Sequence, residues 1–323
     1  MVLKSLRFAG AVLGLLGVAA GSAAAQEVKV TPLGSHDGEF CRFDRAMMFE
    51  DPDGTRILYD AGRTVAGAGD PRLGKVDALL VSHMHGDHVG DRHIDAVNAG
   101  ECGAPMMGTV AAPNTNTVNI ALEKSALIVT GSEMPSFFAS KLKALGGDPK
   151  KSALVRFGAS RKVGGVTVTT VPAAHSNGVN GAFIEGELGK LLSSAGLTAY
   201  AGPPTGYVLT FSNGLVAYLS GDTGVTAEQR TVVGEQYGAE LVVMNIGDTF
   251  TTGPTEAAFV VNELIKPASV IPSHANEIGT KGGKVIAGSK TDAFMKALKA
   301  PSYLPLSGKT LEFDGAGKCV SGC

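Results

Sequence analysis

One segment limits what this chain can fold into. The apolar run Ala78-Leu79-Leu80-Val81 leads, after Ser82, into His83-Met84-His85-Gly86-Asp87-His88. Residues 77–82 read as a strand buried on both faces, because they lack the polar alternation of a half-exposed strand. In an extended segment His83 and His85, separated by Met84, point to one side. Gly86 then permits a tight bend before Asp87 and His88. A loop at the end of a buried strand can thus aim three imidazoles and a carboxylate at one point, a donor set that suits zinc, iron or manganese. A histidine taken singly is more often a core or surface residue than a ligand. Here three of the chain's seven histidines fall in one loop, so metal binding is the expectation.

The rest of the chain alternates. Short β-like runs cover 28–33, 56–59, 77–82, 166–171, 206–211, 215–220, 241–246 and 269–272, and helical spacing marks 136–145, 254–265 and 291–298. Pro254 fits a first helical position, Ala258, Val261, Leu264 and Ile265 form one stripe, and Lys266-Pro267 ends it. Thr291 is placed to cap the last helix. Residues 193–204 read as a loop. This alternation argues an α/β class with helices covering sheet faces. No Pro/Ser-rich linker interrupts it, so 26–323 is read as one domain, in two halves meeting near residue 165.

Three later positions offer closing ligands, each just past a buried run: His175 after 166–171, Asp222 in Ser220-Gly221-Asp222-Thr223-Gly224, and His274 after Val270-Ile271-Pro272-Ser273. An Asp beside Gly at a strand end is often only a turn residue. The placement shared by all three carries the inference, because loops that follow buried strands gather into a site.

His83-Met84-His85-Gly86-Asp87-His88 followed by His175, Asp222 and His274, in that order, resembles the metallo-β-lactamase superfamily over most of the chain. Gly247-Asp248-Thr249-Phe250-Thr251-Thr252-Gly253-Pro254 and Val270-Ile271-Pro272-Ser273-His274 are similar to the metal-dependent hydrolases grouped around the L-ascorbate-6-phosphate lactonases, although Gly34-Ser35-His36-Asp37-Gly38-Glu39 departs from that pattern. The resemblance implies a four-layer αβ/βα sandwich of two mixed sheets flanked by helices. It also implies two divalent metal ions, zinc first and iron or manganese next: His83, His85 and His175 would hold one, Asp87, His88 and His274 the other, and Asp222 would bridge them. A hydroxide shared by the ions would attack a small ester, lactone or phosphodiester, with Asp87 as the catalytic carboxylate that orients it or accepts a proton.

Departures within the superfamily narrow the branch. His85 stands where flavodiiron-type members carry Glu, which disfavours electron transfer. Asp222 stands where true zinc β-lactamases lack a bridging carboxylate, so β-lactam hydrolysis ranks second, beside a metal-binding protein of this fold with little turnover. His36, Asp248 and Asn276 are candidate substrate contacts, with a surface role the plainer reading of His36; His93 reads as peripheral to the metals or exposed. The loops 110–135 and 177–204 are expected to set substrate choice.

Charge and the N-terminus bear on partners and place. The 28 basic and 30 acidic residues include no basic block, and RNA phosphates favour a basic surface, so a small-molecule substrate is expected and nucleic acid is not. Lys4 and Arg7, the apolar run 8–20 and Ala23-Ala24-Ala25 form a secretory signal pattern with cleavage before Gln26. As a helix that run spans only ~20 Å, short of a ~30 Å hydrocarbon core. Cleavage leaves 26 basic against 30 acidic residues, and the mature protein is expected in the periplasm or outside the cell, off the membrane. Oligomeric state leaves no readable trace. Four cysteines suit an oxidising compartment and allow three pairings. Cys41–Cys102 with Cys319–Cys323 is preferred, since the last two lie close in sequence.

Overall fold

A computed structural model describes residues 27–323. The signal pattern of residues 1–25 lies outside the described residues. The strands that build the two main sheets are β1 Val28–Pro32, β2 Met47–Glu50, β3 Arg56–Tyr59, β4 Ala78–Leu80, β5 Leu127–Thr130, β6 Ser152–Leu154, β7 Ser160–Val163, β8 Val166–Pro172, β9 Thr205–Thr210, β10 Val216–Leu219, β11 Leu241–Asn245, β12 Ser269–Ser273, β13 Leu311–Phe313 and β14 Cys319–Ser321. The first sheet has the order β6-β5-β4-β3-β2-β1-β13-β14 and the second β7-β8-β9-β10-β11-β12. Both are mixed: β3, β4, β5 and β6 run parallel, as do β10, β11 and β12, while the remaining neighbours are antiparallel.

Side-chain alternation along each strand explains the layering. Met47, Phe49, Ile57, Tyr59 and Leu80 point between the sheets, where they meet Val168, Tyr207, Leu209, Leu219 and Val243. Their neighbours Met48, Leu58 and Leu79 point outward and are covered by helices Asn116–Lys124 and Met134–Ala144 through Val118 and Phe138. On the far side Val208, Tyr218 and Val242 pack under Ala257, Val261 and Phe294. The period of two thus feeds three separate apolar layers and produces the αβ/βα sandwich. No helix among the described residues is long and apolar enough to cross a membrane.

Local structure departs from expectation in several places. The helix expected over 254–265 is α-helical only through Pro254–Phe259 and continues as a π-helix, Val260–Ile265. The C-terminal helix is Lys290–Ala297, and Ser289, not Thr291, caps it by accepting a hydrogen bond from the Asp292 N–H at 3.1 Å. Thr291 is buried within the first turn, too late in the chain to serve as cap. Residues 193–204 are not wholly loop, for helix Glu187–Ala195 runs into them and Thr198–Tyr200 pairs with Gly178–Asn180. Cys41 is bonded to Cys102 and Cys319 to Cys323.

Arg72 ties the loop after β3 to both chain ends. It donates to the carbonyls of Gly34 at 2.7 Å and Thr64 at 2.9 Å, and to Ser307 Oγ at 3.4 Å. Asp70, fully buried, neutralises it at 2.6 Å. Burial alone would raise the Asp70 pKa, but the Arg72 hydrogen bonds and charge outweigh it and hold the carboxyl below its usual value of 3.8. A depressed carboxylate pKa stabilises the fold above the unfolded value and loses that contribution as pH falls through the folded one. Asp70→Ala should therefore cost about 3 kcal/mol at pH 7, as for a buried pair robbed of one partner. Chemical denaturation at pH 7 and at pH 3 checks this, since the gap should narrow in acid.

Candidate metal centre

The strand ends meet at one edge of the sandwich. β4 delivers Ser82 and His83, helix Gly86–Val89 delivers Asp87 and His88, β8 leads to His175, β10 to Asp222 and β12 to His274. Gly221 makes the turn into Asp222 with φ of 60°, a region open to glycine at little cost, and its N–H donates to the Tyr59 hydroxyl at 2.9 Å.

All seven expected ligands converge. His83, His85 and His175 form one group whose donor atoms lie within 4.8 Å of one another, Asp87, His88 and His274 form a second, and His83, His88 and Asp222 form a third between them. Asp222 Oδ2 lies 3.3 Å from His274 Nε2, 3.4 Å from His88 Nε2, 3.7 Å from His175 Nε2 and 3.8 Å from His83 Nε2. The Nε2 atoms of His83, His88 and His274 and Asp222 Oδ1 are buried without a hydrogen-bond partner. Buried polar atoms are normally satisfied, so four orphans facing one point fit a cation that takes their lone pairs.

A layer beneath fixes the rings. His88 Nδ1–H donates to Asp60 Oδ2 at 2.8 Å, and Ser82 Oγ–H donates to the same oxygen at 2.8 Å. Ser82 Oγ in turn accepts from His83 Nδ1–H at 3.0 Å. These bonds select the tautomers that leave both Nε2 lone pairs aimed inward. His85 Nε2 lies 3.3 Å from Ser176 Oγ. Arg45, almost fully buried, places Nη1 2.7 Å from Asp87 Oδ2 and Nη2 3.4 Å from Asn276 Oδ1.

Electrostatics agree with a cation site. Burial, helped by the charge of His88, keeps His83 well below the usual imidazole value, and the same causes together with His175 bring His85 to about 4. Both rings thus keep free lone pairs at neutral pH. Burial would lower His88 as well, but the carboxylates of Asp222, Asp60 and Asp87 push it up to about 10. Burial would raise Asp222, yet His274 and His88 hold it well below the carboxylate range. Positive charge is wanted at this point, and a proton or a metal ion supplies it.

The ligands floor an open cleft of about 670 Å³. Of the expected substrate contacts, Asp248 and Asn276 line it, and His36 does not: its ring is taken up by Ser35 Oγ and the Gly100 carbonyl, each at 3.1 Å. His93 also lies outside the lining, bonded to the Ile94 carbonyl at 2.8 Å. The loops 110–135 and 177–204 contribute nothing to the lining. Instead Arg42, Phe43, Arg63, Phe250 and Lys290 form the walls. Asp248, Thr249, His274 and Asn276 all carry φ between 51° and 58°, a left-handed conformation that costs non-glycine residues about 1–3 kcal/mol each and collects at functional sites. Gly247 is needed by proximity, since a Cβ there would sit 3.0 Å from His274 Nδ1 and 2.7 Å from Asn276 Nδ2.

Asp60 and Arg45 escape a reading confined to ligand types in the later strand ends. Asp60 carried the same signal as Asp222, an Asp directly after a buried strand. Arg45 carried none, because only the tertiary fold sets it beneath Asp87.

A profile described as the beta-lactamase superfamily domain matches residues 55–275. A UPF0173 metal-dependent hydrolase of Cupriavidus necator is 34% identical over 203 residues, 62% of this chain and 58% of that protein. Another, from Polaromonas sp., is 32% identical over 246 residues, 75% of this chain and 74% of its own length. The aligned part thus spans little more than half of the first relative and about three quarters of the second. A solved metallo hydrolase from the archaeon Ignicoccus hospitalis shares the fold at a TM-score of 0.58 and 20% identity, covering 89% of this chain and 99% of that one.

Proposed function

The chain belongs to the beta-lactamase superfamily, and from that premise we propose that it is a metal-dependent hydrolase that holds two divalent ions, zinc by preference, and cleaves a small ester, lactone or phosphodiester after export. The observation that carries the two-ion reading is Asp222 Oδ2, within 3.8 Å of imidazoles from both ligand groups. His83, His85 and His175 would hold one ion, Asp87, His88 and His274 the other, with Asp222 shared. Divalent ions bound there would supply Lewis-acid chemistry, making water a nucleophile near neutral pH and polarising the bond under attack.

The protein's own part is positioning and proton transfer. Asp60 and Ser82 lock the rings of His83 and His88 before any substrate arrives. Arg45 donates to Asp87 Oδ2, the oxygen that also faces His88 and His274, and so fixes the carboxylate that would orient the attacking water or take its proton. Asn276 and Asp248 face the cleft and contact polar groups of the substrate. The two disulfides, one of them clamping the segment that leads into Arg42, support an oxidising destination.

His83→Ala tests the reading. In protein shown to be folded by circular dichroism, bound metal should fall below two per chain, and chelator-sensitive hydrolysis of an aryl ester, a lactone or an aryl phosphodiester should disappear. Unchanged activity would sink the proposal, and a metal-loaded wild type silent across that panel would favour a binding role.

A further inference from the structure

Two cations in the cleft walls are left unused by the metal ligands. Of the three Arg and Lys residues lining the cleft, Arg63 is neutralised by Asp91 through paired bonds of 2.7 and 2.8 Å, and Arg45, beneath the cleft, is neutralised by Asp87. Arg42 and Lys290 make no ion pair among the described residues. Arg42 lies with its guanidinium 5.3 Å from the centre of the Phe43 ring. Lys290 gives one hydrogen bond, 2.7 Å, to the Gly247 carbonyl, and an ammonium has three N–H groups to place.

Both are rooted in fixed backbone. Cys41, next to Arg42, is bonded to Cys102, and the Arg42 N–H donates to the Cys102 carbonyl at 3.3 Å. Lys290 opens the helix Lys290–Ala297 beside its Ser289 cap, and its N–H is held by the Glu277 carboxylate. Its ammonium stands at Gly247, the residue packed against the His274 ring. Asp248 is the single lining carboxylate outside the ligand set, and its Oδ1 accepts the Thr249 N–H at 2.7 Å. Phe43 and Phe250, the latter 67% exposed, add apolar faces to the same walls. Cations in a concave site focus its field on anions, and bound divalent ions strengthen that field.

We infer that the substrate is an organic anion whose carboxylate, phosphate or sulfonate-like group is gripped by Arg42 and Lys290, with its apolar part against Phe43 and Phe250. The anion site stands on these wall residues; that the bound molecule is then hydrolysed rests on the function proposed above.

Binding of 1-naphthalenesulfonate to the metal-loaded full-length protein, followed by fluorescence, tests the site directly, since a sulfonate is a poor metal ligand. Arg42→Gln and Lys290→Gln should each raise Kd about tenfold and the pair about a hundredfold, with Lys290→Arg near wild type and uncharged 2-naphthol unaffected. Hydrolysis of 2-naphthyl acetate against its 6-sulfonated counterpart separates the two readings. A preference of about tenfold in kcat/KM for the sulfonated ester, lost in the double variant, supports both. Weakened sulfonate binding with neither ester cleaved supports the anion site and counts against ester hydrolysis. Sulfonate affinity untouched by both substitutions, or equal cleavage of the two esters, overturns the inference.

Discussion

Asp222→Asn should leave a protein that keeps fewer than two metal ions through gel filtration and hydrolyses its substrate more than about a hundredfold more slowly. The change preserves side-chain volume and removes only the charge, from the one carboxylate that faces four imidazoles at 3.3 to 3.8 Å. Partners one step behind a metal ligand typically contribute about 10–100-fold to affinity or activity. A carboxylate shared by two ions, as proposed for Asp222, should exceed that. Elemental analysis beside a kinetic assay checks the two halves separately. Two retained ions with turnover within a few-fold of wild type would show that Asp222 is not shared.

The second large effect concerns Arg45. Its side chain is 2% exposed, and that of its partner Asp87 is 26% exposed toward the cleft. Breaking a buried pair typically costs 3–5 kcal/mol, and the partial exposure of Asp87 puts Arg45→Ala at the lower end, about 3 kcal/mol, in metal-free protein. With metal present the loss should be smaller, because the ion replaces the guanidinium as the partner of Asp87. Unfolding curves in chelator and in excess zinc give both numbers. An equal loss in the two conditions would mean that Asp87 does not face the metal.

The positions that converge were legible because they follow one local rule, polar donors in the segment just past a buried run. Asp60 obeys it too, and the rule would have found it. Arg42, Arg45 and Lys290 obey no such rule: each lies in a loop or at a helix start, and its place in or beneath the cleft comes from contacts with distant segments. β2 was hard to read because Met47-Met48-Phe49-Glu50 is four residues long and apolar on both faces, which suits general packing as well as a strand. Helix Glu187–Ala195 contains Gly189, Ser193 and Ser194, residues of modest helix propensity, and shows few buried side chains. Its Leu188 and Leu191 face solvent instead of the core, at 57% and 64% exposure. The α-to-π change at Val260 left no mark in the apolar stripe at all.

The pairing of β1 has a consequence for how the chain folds. β1 is bonded on one side to β2 and on the other to β13, so an early strand is flanked by one far later in the sequence. Until Leu311–Phe313 arrives, β1 presents an open row of backbone donors and acceptors, a template on which another nascent chain can pair. Contacts of such long sequence span are slow to form. The half of the molecule that carries His83 to His88 is therefore begun first and sealed last. A holdase that masks Val28-Lys29-Val30 until then would act on the segment where premature pairing does the most harm.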